Sequence, residues 1–166
     1  MNKGIAILFV FVMALSGCKI NYTFTGASIS PDIKTVSIQY FPNQAPLVQP
    51  QLSSEFTEAL KDKFVRQTSL ELVNGVGDLN FEGVITGYDT KPQAIQQETA
   101  AENRLTITIK VKFTNALEPE QNFETSFSGY EDYPSSQNLV SVEDELMGLI
   151  IDKIVEDIFN KSVANW

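Results

Sequence analysis

Across residues 104–115, apolar and polar side chains alternate without a break. Leu105, Ile107, Ile109, Val111 and Phe113 fall on one side, and Thr106, Thr108, Lys110, Lys112 and Thr114 on the other. A period of two belongs to a half-buried strand, so this stretch predicts a strand with one face on a core and one in water. Residues 34–40 repeat the pattern, with Val36, Ile38 and Tyr40 inward and Thr35, Ser37 and Gln39 outward. Residues 121–133 do the same, with Phe123, Thr125 and Phe127 inward and Asn122, Glu124, Ser126 and Ser128 outward. Residues 79–89 are less regular: Leu79, Phe81 and Ile85 share one face, while Val84 and Tyr88 point to the other. A short strand is predicted over 69–73.

In two stretches the period changes to that of a helix. Leu52, Phe56, Ala59, Leu60 and Phe64 recur at three and four residues, predicting an amphipathic helix over 51–66. Leu146, Met147, Ile150, Ile151, Ile154, Val155, Ile158 and Phe159 predict a longer one with a wider stripe. Ser141 is its expected N-cap, and Glu143, Asp144 and Glu145 fill the first turn, where the helix dipole favours carboxylates. Between these elements, Pro42, Pro46 and Pro50 predict an extended connection. Asn74, Gly75 and Gly77 predict a tight reversal. Pro119 sits in a turn, and residues 91–103 form a long aperiodic connection of the kind that is functional or mobile. The order strand, helix, short strand, three longer strands, helix predicts an α+β fold. It is a two-layer α/β sandwich: a mostly antiparallel sheet with two helices on one face and the other face open.

The start of the chain has a different pattern. Lys3 is followed by an apolar run over 5–15, then by Ser16, Gly17 and the only cysteine, Cys18. The run is shorter than the roughly 20 residues needed to span a bilayer, and its small-residue exit reads as a processing site. It resembles a bacterial lipobox. That resemblance implies cleavage before Cys18 and attachment of lipid to the Cys18 sulfur and its new amine, giving a durable membrane anchor. The expected organisation is a signal peptide over 1–17, a lipidated tether over 18–33 and one domain over 34–166. Lys19, Ile20 and Asn21 carry no acidic sorting signal. By analogy with lipoprotein sorting, the expected site is the periplasmic side of the outer membrane.

Composition removes several function classes. The chain has 12 basic and 21 acidic residues and no histidine. Such an acidic surface is repelled by nucleic acid. Without histidine there is no Ser-His-Asp or Cys-His catalysis. Once Cys18 is acylated, no thiol remains for disulfides or metal. No catalytic residue, metal site or cofactor is expected. Arg104, Lys110 and Lys112 share the outward face of one strand, and basic side chains on an acidic surface are candidates for phosphate or sugar-acid contacts. The plainer reading is that they keep an exposed strand soluble.

Residues 34–43 (KTVSIQYFPN), 56–64 (FTEALKDKF), 81–88 (FEGVITGY), 105–114 (LTITIKVKFT), 141–145 (SVEDE) and 158–161 (IFNK) carry, in that order, a resemblance to LptE-like lipopolysaccharide-assembly lipoproteins, in their Bacteroidota branch. The resemblance implies a non-enzymatic lipoprotein in one-to-one complex with an outer-membrane LptD-type β-barrel. It would plug that barrel, assist its assembly and help deliver lipopolysaccharide or lipooligosaccharide to the surface. The residues by themselves leave open an anchored periplasmic activator of a cell-envelope enzyme, such as a peptidoglycan synthase. A carboxylate-dependent hydrolase would need two acidic groups about 5 to 9 Å apart in a pocket.

Overall fold

The computed structural model describes residues 29–93 and 102–163. The expected signal peptide, Cys18 and most of the tether lie outside the described residues. The elements are β1 (Thr35–Ile38), α1 (Leu52–Gln67), β2 (Glu71–Leu72), β3 (Leu79–Pro92), β4 (Glu102–Asn115), β5 (Phe123–Pro134) and α2 (Glu143–Val163). Short 3-10 turns at Pro119–Gln121 and Leu139–Ser141 complete them. One five-stranded sheet has the order β2-β1-β3-β4-β5. β1 runs parallel to both neighbours, whereas β3, β4 and β5 are antiparallel and carry most of the pairing. This is the predicted two-layer α+β sandwich.

The alternation in β4 sets the layers. Leu105, Ile107, Ile109, Val111 and Phe113 are buried, and both helices bury their stripes in the same core. α1 contributes Leu52, Phe56, Leu60 and Phe64; α2 contributes residues from Leu146 to Val163. Register places Phe81 opposite Phe113 and Phe113 opposite Phe123, so three rings line up across β3, β4 and β5. Their centroids are 4.8 and 5.2 Å apart, within the range of favourable aromatic contact. Phe64 of α1 joins this row to α2, lying 4.9 Å from Phe81 and 5.1 Å from Phe159.

Several local expectations are overturned. Tyr40 is 61% exposed. β1 ends at Ile38, and Phe41 turns inward in its place, meeting Phe56 edge-on at 5.0 Å. Tyr88 is buried rather than outward, because the register of β3 against β4 shifts between Ile85 and Gly87. One extra residue reverses which face every later side chain meets. The Tyr88 hydroxyl then reaches the Glu143 carboxylate. Burial first, and that carboxylate second, push the phenol pKa up.

Residues 74–78 do not form a hairpin reversal, since β2 and β3 flank β1 and run parallel to it. The segment steps across the end of β1. A Cβ on Gly77 would stand 3.1 Å from Ser37 N, a tight approach to backbone that glycine relieves. Gly75 takes the positive φ of 143°. Asp78 ties the crossing down: its Oδ2 accepts from Lys34 N–H at 2.8 Å and from Thr35 N–H and Oγ1 at 2.9 Å. Ser141 is not the N-cap of α2. It closes a 3-10 turn capped by Asn138, whose Oδ1 accepts from Val140 N–H at 3.2 Å. At the ends of the expected aperiodic connection, Lys91 and Pro92 extend β3 to pair with Arg104 and Asn103, and its residues 94–101 lie outside the described residues.

Candidate ligand-contact face

The helices cover one side of the sheet, so the outward side chains of β3, β4 and β5 form an open face. Arg104, Lys110 and Lys112 all stand on it, as the alternation requires. Each is met by an acid on a neighbouring strand. Glu82 lies directly opposite Lys112 and accepts from its ammonium at 2.6 Å. Asp132 lies opposite Arg104 and takes a two-pronged contact, Nε to Oδ1 at 2.7 Å and Nη2 to Oδ2 at 2.8 Å. Lys110 reaches Glu124 diagonally, because its direct partner in register is Ser126. The Arg104 guanidinium also stacks over the Tyr130 ring at 3.7 Å.

These contacts hold the charges in place. The hydrogen bond from Lys110 holds the Glu124 carboxyl below its ordinary range, and the bond from Arg104 does the same for Asp132. Their acidic partners raise Arg104 and Lys112 in turn. The face is a ladder of matched ion pairs, with no excess positive charge. Among the described residues, no group of three acidic side chains is arranged to hold a metal ion.

Lys110 and Lys112 meet features that the sequence did not place beside them. With Tyr40, Pro42, Val84, Glu82 and Glu124 they border a shallow depression of about 480 Å³. Tyr40 is the residue that the alternation misassigned, and Pro42 belongs to the expected extended connection. Arg104 stands apart, six residues or about 20 Å further along β4. The structure thus joins two of the three candidates in one amphiphilic depression and leaves the third at the far end of the face. No helix among the described residues is long and apolar enough to cross a membrane.

Comparison with solved structures supports the fold. The chain is similar to the hypothetical protein CT253 from Chlamydia trachomatis, with a TM-score of 0.56 and 11% identity over 80% of this chain and 99% of that one. It is similar also to the uncharacterized lipoprotein B from Nitrosomonas europaea, with a TM-score of 0.51 and 14% identity over 86% and 88%. At such identities the likeness speaks for the fold alone. No curated protein sequence matches the chain. The model of one family, LptE, described as lipopolysaccharide-assembly, matches residues 33–162, which include every described strand and all but the last residue of α2. The chain therefore belongs to the LptE family of lipopolysaccharide-assembly proteins.

Proposed function

We propose that this protein is the lipoprotein half of a one-to-one complex with an outer-membrane LptD-type β-barrel. It plugs the barrel, assists its assembly and helps pass lipopolysaccharide or lipooligosaccharide to the cell surface. The observation that carries this reading is the family match over residues 33–162. The family acts in lipopolysaccharide assembly without being enzymatic, and its lipoproteins sit in the cell envelope. Lipid on Cys18 supplies the attachment, since two or more acyl chains hold a protein to a membrane durably. The periplasmic side of the outer membrane is the proposed location.

Lys110 and Lys112 are the proposed glycolipid contacts, with Arg104 as a more distant third. Their depression offers ammonium groups for phosphate or sugar acids beside the apolar surface of Tyr40, Pro42 and Val84. Both lysines are already paired, so an incoming phosphate has to displace Glu82 and Glu124. Exposed ion pairs are weak and screened, which makes that exchange feasible. Affinity capture from detergent-solubilised outer membrane, with mass spectrometry of the partner, tests the complex. A barrel in equal amount, retained through high salt, is the expected result. Recovery of a periplasmic or inner-membrane enzyme instead favours the activator. Lys110→Gln with Lys112→Gln should weaken lipopolysaccharide binding by the purified chain, and unchanged binding removes both lysines as contacts.

A further inference from the structure

We propose that the outer edge of β5, roofed by one flank of α2, is a docking site for an extended segment of another protein that carries a basic side chain and adds to the sheet as a sixth strand. This inference stands independently of the barrel reading.

The two ends of the sheet differ. β2 is two residues long, and a very short strand is a poor template for further pairing. β5 is twelve residues long and pairs with β4 without any register shift, while among the described residues no strand lies on its other side. Alternate backbone N–H and C=O groups therefore point outward in a straight row. Of the usual protections this row lacks a bulge, a lysine and any proline before Pro134, and its charges are the acids Glu124, Glu131 and Asp132.

α2 turns this edge into a groove. Gly129 lets the helix come down close, since a Cβ there would stand 3.0 Å from Ile150 Cγ2 and 3.1 Å from Ile154 Cγ1. Leu149, Lys153, Asp157 and Lys161 recur every four residues and form one flank of α2. Lys153 binds Glu131 of β5, and the Lys161 ammonium sits 5.1 Å over the Phe123 ring, so this flank lies above the strand. Between them is a groove of about 330 Å³ bordered by Ser128, Gly129, Tyr130, Lys153 and Asp157. Further along β5, Phe123 and Phe127 are only half-buried, and Leu149 on the helix flank is 46% exposed. An added strand with apolar residues facing inward would cover all three. Addition of an extended peptide between a strand edge and a helix draws affinity from backbone hydrogen bonds and selectivity from side chains.

Charge selects the occupant. β5 carries Glu124, Glu131 and Asp132 and no basic residue. These three are matched by Lys110, Lys153 and Arg104, but Asp157 makes no ion pair among the described residues. A second copy of this acidic chain would bring a strand with no base to Asp157. A segment bearing lysine or arginine supplies the missing partner.

The test uses the purified chain and a twelve-residue peptide alternating valine and threonine, with lysine in place of one central valine so that it shares the α2-facing side, compared with its glutamate counterpart. Amide shifts and slowed amide exchange along β5 and the 149–161 flank, with tighter binding of the lysine peptide, are the expected results. Asp157→Lys, an exposed helix change, should reverse the preference, each arm shifting affinity about threefold as exposed charge pairs do. Equal response to the two peptides, β5 amides unchanged at the highest soluble concentration, or dimerisation of the chain through β5 would each overturn the proposal.

Discussion

Truncating Phe113 tests whether the row of aromatic rings holds the two layers together. Its ring is 1% exposed and lies between Phe81 at 4.8 Å and Phe123 at 5.2 Å. Removing a buried phenyl costs about 3–5 kcal/mol, from lost transfer energy and the cavity left behind. Here the cavity has sheet on one side and helices on the other, so it cannot collapse easily. The expected loss for Phe113→Ala is therefore near the top of that range, about 4–5 kcal/mol. Phe127 makes the internal control: it is half-buried on the edge strand, with one ring neighbour at 6.1 Å. Its truncation opens to solvent instead of leaving a closed void, and should cost about 1–2 kcal/mol. A domain of this size is stable by roughly 5–15 kcal/mol, so both variants should fold. Urea unfolding followed by far-ultraviolet circular dichroism gives the difference, provided the slope against urea is unchanged. If Phe113→Ala cost no more than Phe127→Ala, the ring row would not be the joint between the layers.

Gly83→Ala should destabilise the sheet by about 1–3 kcal/mol, because its Cβ would stand 2.1 Å from the Lys110 carbonyl oxygen and 2.6 Å from Phe41 Cε1. Comparison of urea midpoints measures it, and a neutral result would mean that β3 and β4 part freely there. Asp78 has a lowered pKa, caused first by the Lys34 backbone hydrogen bond and then by Thr35. Its contribution is thus complete above about pH 4 and is lost as pH falls through the lower folded value. Asp78→Ala should flatten that acid loss in unfolding curves taken across the range, and an unchanged acid profile would refute it. Cys18→Ala should give an unprocessed or soluble species on membrane fractionation, and a normally processed variant still in the outer-membrane fraction without a barrel partner would refute the anchor.

The sequence by itself determined the element types, the layer arrangement and the inward face of β4, because a hydrophobic period is a local property that one buried face imposes along a whole strand. It also placed Arg104, Lys110 and Lys112 on the open face, since parity within an unbroken strand carries that information. The tertiary structure decided whatever depends on a second strand. The shift beside Thr86 that turns Tyr88 inward exists only in the pairing of β3 with β4. The use of residues 74–78 as a step across β1 follows from β1 taking the place between β2 and β3, which no local pattern records. Tyr40 faces solvent because the chain leaves β1 early to seat Phe41 on Gly83. The three cations alternate cleanly in sequence, yet the acids that neutralise them lie 14 to 30 residues away on either side and meet them only through register. Periodicity tells which way a side chain points, but only the assembled sheet decides what stands opposite it.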